Sequence, residues 1–131
     1  MGNQYENFLT AIDVGSAKTR VLQALAEHKI LSAKSSQHLF DVMTQTVTFP
    51  GRLKAGFPAG WTLAHKTGTS GSWNGVTAAT NDVGIAKGPK GIQLSIVVFI
   101  ADSRASAEDR DALTAKLATA AVQHSDRPPM R

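Results

Sequence analysis

The sequence contains no cysteine, few aromatic residues and no long apolar run. Without cysteine the chain can form neither a disulfide nor a thiolate metal site, and its redox compartment is unconstrained. No apolar stretch reaches the roughly 20 residues that a membrane-spanning helix requires, so we predict no membrane association. The first residues, MGNQYEN, do not have the pattern of a signal peptide.

Charge is also sparse, because Asp, Glu, Lys and Arg make up 18% of the residues and the formal net charge is +4. The basic residues are spread along the chain, and aromatic residues amount to only 6%. A nucleic-acid interface needs a basic stripe with interleaved aromatic side chains, so we predict no nucleic-acid partner. The histidines do not have metal-ligand spacing, and we expect neither a metal nor another cofactor.

The chain of 131 residues fits one domain, and its hydrophobic fraction of 42% is that of a globular protein. Apolar residues at helical spacing predict helices over 16–28 and 32–44, and a closing helix that opens at Ser106–Asp109. We expect the closing helix to bury one apolar stripe, formed by Leu113, Leu117, Ala120 and Ala121. The glycine- and proline-rich stretch 47–60 is predicted to be a loop.

Between the second and the closing helix the apolar period changes from 3.6 to 2. This change predicts strands over 61–65, 76–86 and 92–101, the last two joined by a hairpin loop over 87–91. The strand 92–101 is apolar on both faces in its later half. Such a strand normally lies inside a sheet that is covered on both faces.

These elements together predict an α+β fold in which an antiparallel sheet of three strands packs against helices. We expect the folded domain to span residues 13–123. Residues 1–12 would form a lead-in segment, and residues 124–131 a frayed tail.

Three short motifs surround the middle of the chain. Lys66-Thr-Gly68 comes after a predicted strand and opens onto a glycine-rich turn, Phe57-Pro-Ala-Gly-Trp61 precedes it, and Ala78-Ala-Thr-Asn-Asp82 follows it. In this order of helices and strands, the motifs resemble the C-terminal part of class A serine β-lactamases, and most closely the PER-type branch. The resemblance runs from about Gln4 to about Gln123 and implies the penicillin-binding-protein-like fold.

The resemblance implies a role for each residue around the Lys-Thr-Gly motif. The Lys66 ammonium would attract the carboxylate of a β-lactam, and the Thr67 hydroxyl would donate to that carboxylate. Gly68 would let the substrate lie against the strand as an additional β-element. The backbone N–H of Thr69 would be one of two oxyanion-hole donors. Arg52 matches the place from which some branches supply a carboxylate-binding guanidinium.

Structural alternatives stand beside these roles. Lys66 and Arg52 could be ordinary surface cations. Ser70 could line the mouth of the substrate cleft, although a serine in a glycine-rich turn needs no function. Trp73 could form a wall of the cleft or pack within the turn. His65 is expected to point to the opposite face of the strand from Lys66, in a structural role.

The nucleophile of the resembled family is missing from the sequence. Its mark is Ser-x-x-Lys, which brings serine and lysine together on one helical face. No serine in the chain has a lysine three residues later, and Ser-Asp-Asn is absent too. The family's deacylating glutamate lies in Glu-x-x-Leu-Asn, whereas here Glu6-Asn-Phe-Leu9 is followed by Thr10. Glu6 is either a degenerate form of that glutamate or part of the segment beyond the omega loop.

The resemblance therefore implies half of an active site, inactive alone and periplasmic or secreted in its full-length form. Its substrate would be a β-lactam, and the missing N-terminal half or a second copy would pair along Ile92–Ala101. One alternative is a non-catalytic binding module that retains the fold. Another is a fragment of a D-Ala-D-Ala peptidase or glutaminase, although Ala78–Asp82 favours the lactamase.

Overall fold

The computed structural model describes residues 4–125, with side chains from Gly15 onward. Four helices and four strands follow one another along this range, and a 3-10 turn at Pro89–Gly91 joins the last two strands. None of the described helices is both long and apolar enough to cross a bilayer. In chain order the elements are α1 (Gln4–Ala26), α2 (Ala33–Thr44), α3 (Leu53–Gly56), β1 (Thr62–Thr69), β2 (Ser72–Trp73), β3 (Val76–Lys87), β4 (Gln93–Ser103) and α4 (Ala107–Ser125).

Strand β3 lies at the centre of the described sheet. Strand β1 pairs antiparallel with one edge of β3 and β4 pairs antiparallel with its other edge. The two-residue strand β2, which the sequence did not predict, continues the β1 side of β3. The prediction of an antiparallel sheet packed against helices is confirmed, with β2 as a short fourth strand.

Helices cover both faces of the sheet. On one face α1 and α2 pack over a first core cluster, and on the other face α3 and α4 pack over a second. Strand β4 contributes to both, because Val97 joins the first cluster and Val98 the second. The prediction that this strand is covered on both faces is confirmed. The buried members of the two clusters are Leu22, Phe40, Ala64 and Ile85, and Leu53, Val98 and Ala118.

The stripe predicted for the closing helix is wrong. Leu113 and Leu117 are 48% and 44% exposed, Ala120 is exposed and Ala121 is only half-buried. The helix is turned so that small and polar residues face inward, since a Cβ added at Gly56 of α3 would lie only 2.1 Å from the Ala115 carbonyl oxygen. Leucines do not fit so close a contact. The residues that α4 buries instead are Arg110, Thr114, Ala118 and Val122.

Several boundaries also differ from the prediction. Helix α1 begins at Gln4, and α4 continues to Ser125. The short helix α3 lies inside the stretch predicted as a loop. Strand β1 does not end at His65 but continues to Thr69, so the Lys-Thr-Gly motif lies within the strand.

Candidate functional site

The Lys-Thr-Gly-Thr segment forms the second half of β1. Because side chains alternate along a strand, those of this segment are divided between the two faces of the sheet. Thr67 is buried, whereas Lys66, Gly68 and Thr69 are exposed. Ala64 belongs to the core cluster under α1 and α2, and Leu63 packs on the cluster under α3 and α4. Lys66 and Gly68 therefore share the first face, and Thr67 and Thr69 share the second.

The first face is open at the end of β1. A Cβ built at Gly68 would meet no atom within 4 Å, so there is free space beside the backbone at this point. The Lys66 ammonium donates a hydrogen bond to the carbonyl oxygen of Thr67 and stays on the exposed side of the strand. An exposed cation next to an unobstructed stretch of strand is an arrangement that an extended anionic ligand could occupy.

On the second face, Arg52 contacts the motif directly. Its Nη2 donates to the Thr69 hydroxyl oxygen at 2.7 Å, and its Nη1 donates to the carbonyl oxygen of Asn81 on β3 at 3.2 Å. The Nε donates to Asp111 Oδ1 on α4 at 2.7 Å. The ring of Phe49 stacks on the guanidinium, 3.9 Å from centroid to Cζ. The structure thus brings Arg52 and Thr69 together, 17 residues apart in the chain.

Burial changes what Arg52 can do. The residue is only 2% exposed, and each of its three guanidinium nitrogens already has a partner. Because the Thr69 oxygen accepts a hydrogen bond from Arg52, the Thr69 hydroxyl hydrogen is available for another acceptor. The guanidinium therefore polarises and orients Thr69 rather than standing open at the surface.

The backbone of Thr69 points out of the sheet. In an antiparallel ladder, residues that exchange hydrogen bonds with the partner strand alternate with residues that face away. The N–H of Ser70 donates to the carbonyl oxygen of Ala79 at 3.0 Å, so Thr69, its neighbour, turns away from β3. His65, four residues earlier in β1, has the same backbone orientation. Its carbonyl oxygen accepts from the Thr46 hydroxyl at 2.8 Å on the side of β1 away from β3.

Thr67 and Ser70 have protein partners of their own. The Thr67 hydroxyl lies 2.7 Å from the Thr48 hydroxyl. Ser70 Oγ accepts from the backbone N–H of Ala79 at 2.9 Å and donates to the carbonyl oxygen of Gly71 at 2.9 Å. The two Ser70 bonds close the turn between β1 and β3, which is the structural alternative for Ser70. Trp73 is 80% exposed and does not pack within that turn.

Sequence reasoning missed several polar residues beneath the motif. Asp111 is the counter-ion of Arg52, and Arg110, only 8% exposed, donates from Nε to the Thr80 hydroxyl at 2.9 Å. The sequence feature that could have identified Arg110 and Asp111 is their adjacent opposite charges in a predicted helix rich in alanine. His65, placed in a structural role by the sequence, lies 2.9 Å through Nδ1 from Asp82 Oδ1, and both side chains are buried.

Two further expectations concern Glu6 and metal binding. The side chain of Glu6, the alternative general base, lies outside the described residues. Among the residues that the structure describes, no group of three or more His, Asp or Glu side chains is arranged to hold a metal ion.

Comparison with known proteins assigns the chain to a family. The sequence model of the beta-lactamase enzyme family matches residues 3–125, and the chain belongs to that family. It is 42% identical over 120 residues to the extended-spectrum beta-lactamase PER-1 of Pseudomonas aeruginosa, an alignment that covers 92% of this chain and 38% of PER-1.

Solved structures define the class more narrowly. The crystal structure of the extended-spectrum beta-lactamase TLA-1 superposes with a TM-score of 0.83 at 33% identity, covering 86% of this chain and 41% of that chain. A class A beta-lactamase from Bacteroides cellulosilyticus superposes with a TM-score of 0.72 at 29% identity, covering 76% of this chain and 36% of that one. The chain thus corresponds to the C-terminal portion of class A serine β-lactamases and spans about two fifths of their length.

Proposed function

We propose that these 131 residues form the carboxylate-binding side of a class A serine β-lactamase active site and supply one of its oxyanion-hole donors. The observation that carries the proposal is the contact between Arg52 Nη2 and the Thr69 hydroxyl oxygen, 2.7 Å, at the end of the strand that bears Lys66. The exposed Lys66 ammonium on this strand would attract a β-lactam carboxylate from solution, while the buried, ion-paired Arg52 holds the Thr69 hydroxyl in place.

The strand end also offers the donors that such a substrate needs. Thr69 would give its hydroxyl hydrogen to the carboxylate, because its oxygen already accepts from Arg52. The outward backbone N–H of Thr69 would face the β-lactam carbonyl oxygen and bind it more strongly as the tetrahedral oxyanion forms. The open space at Gly68 would let the substrate backbone approach the strand.

Hydrolysis itself would need groups that are not in this sequence. In the complete reaction a serine oxygen adds to the β-lactam carbonyl carbon and the C–N bond breaks, with the proton passing to the ring nitrogen. Water then releases the acyl group and restores the serine. Since no Ser-x-x-Lys is present, a second polypeptide segment would supply the nucleophile and its base.

We further propose that this segment pairs along β4. Among the described strands β4 pairs only with β3, and between Gln93 and Ala101 it has neither charge nor proline. Natural proteins rarely leave such an edge exposed. Leu113 and Leu117 of α4 are exposed as well, on a flank other than the one that α3 contacts through Ala115 and Thr119. A second copy of the chain is the alternative occupant of this edge.

A binding titration tests the carboxylate site without chemistry. We would add benzylpenicillin, and separately its methyl ester, to the 15N-labelled chain and follow the backbone amides of Lys66 and Thr69. The acid should shift these amides saturably, and the ester should bind at least about tenfold more weakly because a charge-assisted contact is lost. Equal shifts with acid and ester, or shifts unchanged in Lys66→Ala, would contradict the proposal.

A further inference from the structure

The carboxylate of Asp82 is the most enclosed charged group in the sheet. The residue is 0% exposed and lies on β3, with His65 of β1 (1% exposed) beside it. Its Oδ1 lies 2.9 Å from His65 Nδ1, and its Oδ2 accepts the backbone N–H of Leu53 at 3.2 Å. The tautomer with a proton on Nδ1 gives this contact its donor, because an ionised carboxylate only accepts hydrogen bonds.

The bond to Leu53 holds helix α3 in place. This helix has four residues, and its N-cap Arg52 makes no side-chain capping bond. So short a helix is not stable by itself, and its first N–H groups lack partners within the helix. Asp82 satisfies the first of them from another element, in the way that an aspartate at an N-cap would.

The bond to His65 fixes the other strand. Gly84 pairs with His65 in the β1–β3 register, and a Cβ at Gly84 would lie 2.8 Å from the His65 Cβ. The absence of a side chain at Gly84 thus lets the imidazole sit tightly against β3. Because both partners are almost fully buried, the ring has little room to turn away from Asp82.

These two bonds lie next to the two cations of the proposed carboxylate site. Leu53 directly follows Arg52, and His65 directly precedes Lys66. We propose that Asp82 is a positioning residue that sets the separation of Arg52 and Lys66 by holding the chain beside each of them. This inference rests on the proposed function, since it assigns Asp82 to the same site, but its geometric content can be measured without a β-lactam.

A positioning role would explain why Asp82 is buried despite the free-energy cost of removing a carboxylate from water. Replacing a buried charged group by apolar packing of similar volume is often neutral or stabilising, so stability alone does not explain a wholly buried Asp82. Here the reason is specific geometry, because one carboxylate joins β3, β1 and α3 at the site. A purely structural role would make Asp82 matter for stability alone and leave the Arg52 contacts intact in any variant that folds.

The test follows two signals of the folded chain by NMR. In the wild-type chain the Leu53 amide should exchange with solvent at least about tenfold more slowly than an unprotected amide, because a charged acceptor holds it. In Asp82→Asn the Arg52 Nε–H signal should shift and exchange about tenfold faster, as it should in Asp111→Asn. The matched control is Ile85→Val, a buried change on the same strand whose side chain faces the other core cluster, and it should leave the Arg52 signal unchanged.

Two results would overturn the inference. One is a Leu53 amide that exchanges freely in folded wild-type chain, a measurement that stands even if Asp82→Asn fails to fold. The other is a folded Asp82→Asn chain with the wild-type Arg52 signal. Neither result depends on β-lactam binding, so failure of the benzylpenicillin titration would count against the proposed function and not against this positioning role.

Discussion

Arg52 and Asp111 lie 59 residues apart in the chain, yet Arg52 Nε donates to Asp111 Oδ1 at 2.7 Å. This ion pair joins the start of α3 to the first turns of α4, beneath the end of the strand that carries the Lys-Thr-Gly motif. It keeps a guanidinium that is 2% exposed neutralised while the same guanidinium holds Thr69. The candidate site therefore depends on a helix that follows it by some forty residues.

The first prediction concerns that ion pair. Asp111→Asn should lower the free energy of unfolding by about 1.5–3 kcal/mol, because it leaves a buried cation without its counter-charge. Urea unfolding measures this change. Asp41→Asn is the matched control, since Asp41 is exposed and accepts a hydrogen bond from the Gln37 side chain of the same helix. If both variants lose the same small amount, the Arg52–Asp111 pair does not stabilise the fold.

The second prediction concerns packing between α3 and α4. Gly56→Ala should destabilise the chain by about 1–3 kcal/mol, because the new Cβ would lie 2.1 Å from the Ala115 carbonyl oxygen and 2.6 Å from the Ala118 Cβ. Leu117→Ser, on the exposed flank of α4, should change stability by only about 0.5 kcal/mol. Thermal or urea unfolding compares the two. A larger loss of stability for Leu117→Ser than for Gly56→Ala would indicate that α4 buries the apolar stripe predicted from the sequence.

The third prediction concerns the edge of β4. If β4 pairs with another polypeptide, the chain alone should associate at micromolar concentration, and its amides over 94–100 should gain protection when a partner is added. Sedimentation and hydrogen exchange measure these two effects. A stable monomer whose 94–100 amides already exchange as slowly as those of β3 would contradict intermolecular pairing. Ala101→Lys, which puts a charge at an exposed position of the strand, should weaken any association.

The fourth prediction concerns the two cations in an active, complemented enzyme. Lys66→Ala should reduce kcat/KM for every β-lactam, and Arg52→Ala should reduce it chiefly for substrates with a free carboxylate. Each loss should be about 1.5–3 kcal/mol of transition-state stabilisation. Steady-state kinetics with an acid and its methyl ester separates the two. If Arg52→Ala leaves the acid unaffected, Arg52 has no part in carboxylate recognition.

Sequence periodicity predicted most of the fold because its main signals are local. The alternation in β4 identified a strand covered on both faces, and Val97 and Val98 indeed join opposite clusters. The stripe of α4 was wrong because apolar spacing identifies a face without revealing which face a neighbour occupies. The close approach of Gly56 to α4 determines which face of that helix is buried, and this contact joins residues far apart in the chain.

The candidate site was predictable only in part for the same reason. The Lys66–Thr69 segment and Arg52 were predicted as site residues through motifs that resemble a family. Asp111, Asp82 and Arg110 were not found, because each acts through a contact between distant elements. Alternation within β1 also separates Lys66 from Thr67, and this becomes clear only when the strand is seen to continue to Thr69.

The most direct test of the account is complementation. The 131-residue chain would be mixed, or fused, with the N-terminal portion of a class A relative that carries Ser-x-x-Lys, and hydrolysis of a chromogenic cephalosporin would be followed. We predict no saturable hydrolysis by the chain alone, hydrolysis by the combination, and loss of that hydrolysis with Lys66→Ala. Turnover by the chain alone that is abolished by changing one of its own serines, or a combination whose activity is indifferent to Lys66→Ala, would contradict the account.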